Sequence, residues 1–313
     1  MRRVLLVTET SDLAADLLVL AANDRGIPLE RFNQDDFPRR ISIRWPVAGA
    51  VEFQYDGRTS TDADIAGSWF RRARNLTFHH EHSAAFAARE SGDFLSAVWE
   101  TVPWFWINQP TAAARAEYKL AQLREAQRLG FAVPTTLVTN CAEAARRFAE
   151  GREIVAKTLA GGRFTVGSKD YAVFTTLVSA DDVTAAGDTI QACPVIFQDR
   201  IKTRFDLRVT VVGEQVFAAR IFINDRTAGD LDWRQADPNR LFYERQDLDA
   251  GLAARCTKLV AAMGLVYGAL DFVVTSDDNF IFLELNPAGQ WGWIEQALGL
   301  RITDAILDRL WEG

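Results

Sequence analysis

The chain has 313 residues, of which 48% are hydrophobic and 25% charged, with a formal net charge of -7. This length is enough for two or three compact units, and the composition is that of an ordinary soluble protein. The acidic balance excludes recognition of nucleic acid through a broad basic surface, while leaving room for a small basic pocket that binds phosphates. The three cysteines, Cys141, Cys193 and Cys256, form no CxxC pair. Their spacing indicates a reducing, cytoplasmic compartment without a disulfide framework or zinc ribbon.

The N-terminal segment predicts neither a signal peptide nor a membrane span. It begins with two arginines and an apolar run, but Glu9, Asp12 and Asp16 interrupt that run. The uninterrupted apolar stretch is too short to cross a bilayer. We therefore expect no membrane partner.

The first predicted elements form a β-α-β unit. Val4 to Thr8 is a short apolar run typical of a buried parallel strand. Asp12 suits the cap of a helix over Leu13 to Asn23, and Leu29 to Phe32 has the pattern of the next strand. This order favours an α/β fold. The dinucleotide-binding pattern GxGxxG does not follow the first strand.

Later segments suggest two further units. The polar stretch Asn108-Gln109-Pro110 marks the end of a first unit, residues 1–112. A long helix from Ala112 to Leu129 opens a second unit of alternating helices and strands, residues 113–194. The third unit, residues 195–313, is dominated by strands and ends in an amphipathic helix over Ile302 to Leu310.

Two apolar strands of the third unit carry unexpected polar residues. Asp271 lies within one strand, and Glu284 and Asn286 lie two residues apart on the next, after a tight polar turn. A hairpin would place all three side chains close together on one face. Two carboxylates and an amide at one spot favour Mg²⁺ or Mn²⁺ over zinc. The alternative is three unrelated polar residues.

Basic residues in other strands could face phosphates over such a metal. Lys157 ends an apolar strand before a Gly-Gly turn, where a loop could fold over a nucleotide. Arg208 and Arg220 lie within strong strands, and arginine suits forked recognition of phosphate. Two arginines near a metal site suggest stabilisation of a transferred phosphoryl group. Lys119 lies inside the predicted long helix, where a solvated lysine is the simpler interpretation.

In its order of motifs the chain resembles the ATP-grasp ligases, and several stretches resemble the graspetide (microviridin-type) ligases that macrocyclise ribosomal peptides. The ATP-grasp series is Lys119, Lys157, Gln198-Asp199-Arg200-Ile201, Asp206-Leu207-Arg208, Ala219-Arg220-Ile221, Leu270-Asp271 and Leu283-Glu284-Leu285-Asn286-Pro287. The graspetide stretches are Trp69-Phe70-Arg71-Arg72, Asn108-Gln109-Pro110, Asp232-Trp233-Arg234 and the run from Asn286 to Glu295.

The resemblance implies an α/β (α+β) ATP-grasp fold preceded by an N-terminal pre-ATP-grasp domain. It also implies ATP and Mg²⁺, with Mn²⁺ as an alternative ion, a ribosomal precursor peptide of leader and core as substrate, and a homodimer or higher homo-oligomer. The implied roles are ATP phosphate contacts for Lys119 and Lys157, adenine contacts for Gln198, Asp199 and Ile201, and a ribose contact for Asp206. Asp271, Glu284 and Asn286 would bind Mg²⁺, Arg208 and Arg220 would steady the γ-phosphate and acyl phosphate, and Arg234 would face the substrate.

The implied reaction moves the γ-phosphoryl group of ATP to an Asp or Glu side chain of the peptide. A hydroxyl of Thr or Ser, or an amine of Lys, then attacks the acyl phosphate and closes a ring by an ester or amide bond. One alternative is a ligase that joins amino acids or modifies a protein or small molecule. Another is a non-catalytic, nucleotide-regulated peptide-binding module.

Two other features receive structural interpretations. His79, His80 and His82 lie in one short segment without a distant partner histidine, which favours a polar surface patch over a metal site. Trp291 and Trp293 follow the predicted metal strand, and we expect them to wall the cleft.

Overall fold

The first part of the chain is built on a parallel sheet. The computed structural model describes residues 2–55, 57–72, 83–166, 169–227 and 229–313. β1 (Arg3–Thr8), α1 (Leu13–Asp24) and β2 (Leu29–Asn33) form a β-α-β unit in which the two strands pair in parallel. Asp12 caps α1 by accepting a hydrogen bond from the backbone of Ala14. The β-α-β interpretation of the sequence is confirmed.

The remainder of this unit extends the sheet and adds a second one. Its elements are β3 (Ile41–Arg44), β4 (Glu52–Tyr55), β5 (Arg58–Thr61), β6 (Ile65–Phe70), α2 (Ala84–Thr101) and β7 (Phe105–Ile107). The parallel sheet has the order β2-β1-β6-β7, and β3, β4 and β5 form an antiparallel sheet. His79, His80 and His82 lie outside the described residues, so their predicted surface position stays a prediction.

The middle of the chain forms a smaller antiparallel sheet covered by helices. Its elements are α3 (Pro110–Ala116), α4 (Lys119–Arg128), β8 (Thr136–Thr139), α5 (Ala142–Ala149), β9 (Ile154–Lys157), β10 (Arg163–Val166), β11 (Lys169–Ala172), β12 (Thr176–Val178), α6 (Ala180–Ala185), α7 (Gly187–Ala192) and β13 (Val195–Asp199). The sheet order is β12-β9-β13-β8, while β10 and β11 pair as a separate hairpin.

The last part of the chain forms a five-stranded antiparallel sheet. Its elements are β14 (Phe205–Val212), β15 (Gln215–Ile223), β16 (Leu241–Arg245), α8 (Ala250–Ala262), β17 (Tyr267–Val274), β18 (Phe280–Asn286), α9 (Gly292–Leu298) and α10 (Ile302–Glu312). The order is β16-β15-β14-β17-β18. One sheet face packs against α8 around Leu207, Phe272 and Leu259, and the other carries the polar residues of the candidate site.

The segment predicted as one helix, Ala112 to Leu129, is two helices with a break at residues 117 and 118. The backbone carbonyl of Ala116 accepts a hydrogen bond from the side chain of Gln122 at 2.6 Å. Because a side-chain amide satisfies this carbonyl, the helix can end here without leaving a buried polar group unpaired. Lys119 is therefore the first residue of α4 and not a residue of a helix interior.

The helices and strands do not establish where one predicted unit of the chain ends and the next begins. The boundary predicted after residue 112 falls inside α3, and the one predicted after residue 194 falls directly before β13. Both stay predictions. None of the helices in the described ranges combines the length and apolar character needed to cross a membrane.

A buried ion pair joins the first unit to the turn after β18. Arg71 donates to Asp12 through Nε at 2.5 Å and Nη2 at 3.1 Å, and both side chains are fully buried. The guanidinium carbon lies 5.0 Å from the ring of Trp69 and 4.8 Å from that of Trp291. Nη2 also donates to Gln290 Oε1 at 3.2 Å. Two of the graspetide-like stretches, far apart in the sequence, are therefore in direct contact in the fold.

We expect Asp12→Asn to destabilise the protein strongly. Asparagine keeps the size and capping ability of Asp12 but leaves the buried Arg71 charge uncompensated, which costs about 3–5 kcal/mol. Urea unfolding measures the change. Asp16→Asn is the control, because Asp16 is half exposed where it pairs with Arg31, and it should cost less than about 1 kcal/mol. Equal losses for the two variants would contradict this prediction.

Candidate active site

The β17–β18 hairpin brings the three predicted metal ligands together. Asp271 pairs directly with Glu284, and Ala269 pairs with Asn286. The Asn286 amide donates to Asp271 Oδ2 at 2.9 Å and to Glu284 Oε1 at 3.4 Å. An irregularity in the register follows Asp271, so that Leu283 has no partner in β17. The expectation that these three side chains meet on one face is confirmed.

Cations surround both carboxylates. Lys119 Nζ lies 3.2 Å and Arg234 Nη1 3.5 Å from Glu284, and Arg208 Nε lies 3.3 Å from Asp271. Burial raises the pKa of Asp271 to about 6, because Arg208 only partly offsets the loss of solvent. Burial also raises the pKa of Glu284, but Lys119 and Arg234 more than reverse this effect and lower it to about 2. The two adjacent carboxylates therefore differ in their affinity for protons.

The ligand set fits a hard divalent cation. Two carboxylates and one amide offer oxygen donors, the kind that Mg²⁺ prefers. Binding requires the Asn286 amide to rotate by half a turn so that Oδ1 replaces Nδ2 toward the carboxylates. Within the described ranges, no cluster of three or more His, Cys, Asp or Glu could hold a metal. The third oxygen donor of the predicted ligand set is therefore the Asn286 amide.

A cleft of about 1090 Å³ lies over these residues. We call it the large cleft; its lining includes Lys119, Lys157, Asp206, Arg234 and the three predicted ligands, and also residues 158–161 and 172–175. Burial lowers the pKa of Lys157, and Glu284 partly offsets that effect. Because burial removes water from the Lys157 ammonium group, a phosphate that binds beside it would stabilise its positive charge.

A second cavity of about 410 Å³ adjoins the large cleft and shares Lys157 and Leu283 with it. We call it the small cavity; its lining includes Gln198, Asp199 and Ile201, three residues predicted to border adenine. Gln198 Nε2 donates to Thr136 at 3.0 Å, while its buried Oε1 has no hydrogen-bond partner in the described part of the chain. A buried acceptor of this kind suits an amino group of a bound base.

Two of the predicted nucleotide contacts are engaged within the protein. Asp199 accepts hydrogen bonds from Arg152 at 3.0 and 3.2 Å, and it lines the small cavity with the rest of its strand end. Asp206 accepts one from Arg226 at 2.7 Å. Burial raises the pKa of Asp206, and Arg226 partly offsets that effect. Asp206 keeps a position in the large cleft, as a ribose contact would require.

The prediction that Arg220 shares the site with Arg208 is wrong. Arg208 is paired across the sheet with Ala219, whereas Arg220 is paired with Leu207, so the two arginines point to opposite faces. Arg220 lies over the ring of Phe205, at 5.1 Å, on the face that packs against α8. The location of two arginines on neighbouring strands does not determine whether they point to the same face of the sheet. A shift of one residue in the register between the strands moves a side chain to the opposite face.

Arg208 and Arg234 occupy different positions at the site. Arg208 is only 5% exposed, and its Nε and Nη1 have no hydrogen-bond partner within the described residues. Arg234 instead lines the large cleft. Its guanidinium donates to Asp232 at 2.7 and 2.8 Å, which holds it toward Glu284.

Several residues of the site were not predicted. Asp232 lines the large cleft and orients Arg234, and Glu117 lines it beside Lys119. Burial and the charge of Glu284 raise the pKa of Glu117. The adjacency of Asp232 and Arg234 in the sequence could have indicated their pairing. Glu117 gave no such signal, because its place depends on the break between α3 and α4.

The expected tryptophan wall is also corrected. Trp291 is fully buried in a core formed with Trp69 and Tyr267 and does not line the large cleft. Trp233 lines the cleft instead, and its ring lies 4.9 Å from that of Trp293. The prediction for Trp291 failed because the chain turns back after β18 and places this residue between the sheets.

A known protein family matches the chain over more than half of its length. The RimK-like ATP-grasp domain model matches residues 127–310. The comparison with curated protein sequences found no match.

Three solved structures are similar over nearly the whole chain. One is the Chryseobacterium gregarium RiPP-associated ATP-grasp ligase in complex with ADP and a leader and core peptide (28% identity, TM-score 0.89, 99% of this chain and 96% of that chain). Another is macrocyclase MdnC of Microcystis aeruginosa MRC bound with precursor peptide MdnA (28%, 0.86, 98% of each chain). A third is ATP-grasp ligase PsnB complexed with minimal precursor, Mg and ADP (26%, 0.77, 98% and 96%). These similarities confirm the predicted ATP-grasp fold.

Proposed function

Because the chain belongs to the RimK-like ATP-grasp family, we propose that it is an ATP-dependent ligase that macrocyclises a ribosomal precursor peptide. It would phosphorylate Asp or Glu side chains of the peptide and join them to Thr or Ser hydroxyls, or to Lys amines, of the same chain. The observation that carries this proposal is the meeting of Asp271, Glu284 and Asn286 with three cationic side chains at one cleft. Similarity to ligases in complex with precursor peptides supports the substrate class.

The first step is transfer of the γ-phosphoryl group. An oxygen of the substrate carboxylate forms a bond to the γ-phosphorus, the bond to the β,γ-bridging oxygen breaks, and ADP leaves. The acceptor carboxylate and the γ-phosphate are both anionic, so their approach requires nearby positive charge. Lys119 and Lys157 would hold the phosphates, and Arg234 would hold the substrate carboxylate from its side of the large cleft.

Magnesium would be held by Asp271, Glu284 and the amide oxygen of Asn286, and it would offset charge on the phosphate oxygens. Arg208 keeps Asp271 in place at 3.3 Å. Its buried Nη1, which has no hydrogen-bond partner in the described chain, also remains available to an anionic oxygen. A direct contact of Arg208 with the phosphoryl group stays a prediction.

The second step forms the new bond. The hydroxyl or amine of the peptide attacks the acyl carbon, the bond from carbon to the phosphate oxygen breaks, and phosphate leaves with the proton of the nucleophile. The principal contribution of the protein is to hold the two groups of one peptide together and to exclude water from the acyl phosphate. A covalent intermediate on the enzyme is not required.

We expect ATP turnover to depend on a candidate precursor peptide, rich in Thr or Ser and in Asp or Glu. The full chain would be incubated with ATP, Mg²⁺ and the peptide, and phosphate release and peptide mass would be followed together. Each ring should remove one water from the peptide mass. Linkage between two peptide molecules would contradict macrocyclisation, and absence of turnover with every acidic peptide tested would contradict ligase function.

The predicted homodimer or higher homo-oligomer stays a prediction. Light scattering during size-exclusion chromatography measures it directly. A monomer at all concentrations would contradict it without affecting the proposed reaction.

A further inference from the structure

The strand that carries two of the proposed metal ligands lies at the edge of its sheet. Among the strands that the structure describes, β18 pairs with β17 on one side only. An edge strand has backbone N–H and C=O groups that no neighbouring strand satisfies, and its position is correspondingly less constrained. Ala132 accepts from the backbone of Phe282 at 2.8 Å, but this contact ends before the ligands. The ligand-bearing stretch therefore requires support of another kind.

Gln122 of α4 supplies this support between the two ligands. Its Oε1 accepts from the backbone N–H of Leu285 at 2.9 Å, and its Nε2 donates to the carbonyl of Leu285 at 2.7 Å. Gln122 is only 2% exposed. Leu285 lies between Glu284 and Asn286, so one side-chain amide reproduces the donor and acceptor of a missing neighbouring strand where the ligands emerge.

Asn108, which follows β7, supplies a second support directly after the ligands. Its Nδ2 donates to the carbonyls of Pro287 at 2.7 Å and Tyr267 at 2.8 Å. Its Oδ1 accepts from the backbone of Val266 at 2.9 Å and Tyr267 at 3.0 Å. Asn108 has a φ of 55°, a conformation that asparagine adopts more readily than most residues. It thereby joins the start of β17 to the end of β18.

We propose that Gln122 and Asn108 are positioning residues of the metal site, which fix the backbone on either side of Asn286. Neither side chain would touch the ion. They act through the backbone of Leu285 and Pro287, and so determine where the Glu284 carboxylate and the Asn286 amide point. The inference rests on the proposed function in one respect, that these ligands bind Mg²⁺.

The hydrogen bonds distinguish positioning from general stabilisation. A buried amide is costly unless all its groups are satisfied, and an apolar side chain at the same place would pack without that requirement. Both amides are satisfied, and each directs a short bond to a backbone group adjacent to Asn286. Loss of these bonds should therefore alter metal affinity more than it alters the fold.

Mn²⁺ binding by the full chain in the presence of ADP, followed by electron paramagnetic resonance, tests this inference without using activity. We expect Gln122→Met and Asn108→Asp each to raise the Kd for Mn²⁺ by about 10- to 100-fold, as changes beside metal ligands commonly do. Asn108→Asp keeps a side-chain acceptor for Val266 and Tyr267 while losing the donor bonds to the carbonyls of Pro287 and Tyr267. It keeps the test valid if Gln122→Met does not fold.

Thr303→Val is the matched control. Thr303 is a buried polar residue of α10 that accepts from Trp291 at 2.9 Å and donates to Glu295, and these bonds do not involve the backbone of Leu285 or Pro287. Its loss should lower the unfolding temperature and leave the Mn²⁺ affinity unchanged. An equal loss of Mn²⁺ affinity in this control would overturn the inference, because it would show that any loss of protein stability weakens Mn²⁺ binding.

Glu284→Gln separates this inference from the proposed function. If Glu284→Gln abolishes Mn²⁺ binding while Gln122→Met and Asn108→Asp bind like the parent protein, the positioning inference alone is wrong. If Glu284→Gln binds Mn²⁺ normally, the metal assignment itself is wrong.

Discussion

Glu284→Gln should abolish peptide ligation while the protein remains folded. The substitution preserves the side-chain volume but removes the anionic oxygen that faces Lys119 and Arg234. We expect kcat to fall at least ~10²-fold, as when a single preorganised group that stabilises transition-state charge is lost. Phosphate release and peptide mass at saturating Mg²⁺ measure the effect, and circular dichroism shows whether the fold is retained.

The same substitution should change the pH dependence of stability. Burial raises the pKa of Glu284, but nearby cations more than reverse this and lower it to about 2. A carboxylate with a lowered pKa stabilises the fold above its unfolded pKa of about 4.3 and loses this effect as the pH falls toward the folded value. The free energy of unfolding of Glu284→Gln should therefore depend less on pH across this range than that of the parent.

Glu244→Gln is the matched control for both measurements. Glu244 lies on β16 of the same sheet, is half exposed and faces Arg220 at 3.8 Å. Its substitution should leave ligation and pH dependence unchanged. Parent-like ligation by Glu284→Gln would show that this carboxylate is not a metal ligand.

Arg208→Lys should lower kcat by about 10²–10³-fold, whereas Arg220→Lys should leave it nearly unchanged. Lysine keeps the positive charge beside Asp271, so the buried carboxylate is not left uncompensated. It lacks the planar fork of N–H groups that arginine presents to a carboxylate or phosphate. The expected loss is that of a preorganised charge-stabilising group.

The comparison of the two arginines is informative because they lie on neighbouring strands with opposite orientations. Arg208 faces Asp271, and Arg220 packs over Phe205 on the other side of the sheet. Single-turnover kinetics with the precursor peptide separates effects on chemistry from effects on ATP binding. If Arg220→Lys lowered kcat as much as Arg208→Lys, the position of the two arginines on opposite faces of the sheet would not explain their roles in the reaction.

The chemical character of the site was predictable from local sequence. Asp271 and Glu284 interrupt strongly apolar strands separated by a four-residue polar turn, and such a turn leaves an antiparallel hairpin as the simplest connection. Alternation along a strand then places Asn286 on the same face as Glu284. The β-α-β start was predictable in the same way, because Asp12 and the apolar runs on either side of α1 act locally.

The orientation of Arg220 was not predictable in this way. Its face depends on the register between β14 and β15, which is set by packing of the whole sheet against α8. The position of Lys119 depends on a helix break that Gln122 stabilises by bonding Ala116, and the same Gln122 amide is held from across the fold by Leu285.

The sequence by itself determined the apolar strands, the hairpin and the set of oxygen and nitrogen groups available for phosphate and metal, because those depend on residues close together in the chain. Only the tertiary structure decided which of these groups share the cleft and how the ligand strand is held. Asn108 is 178 residues from Asn286, yet its amide binds the carbonyl of Pro287, the next residue. Such contacts arise from the packing of separate segments, for which a local pattern carries no signal.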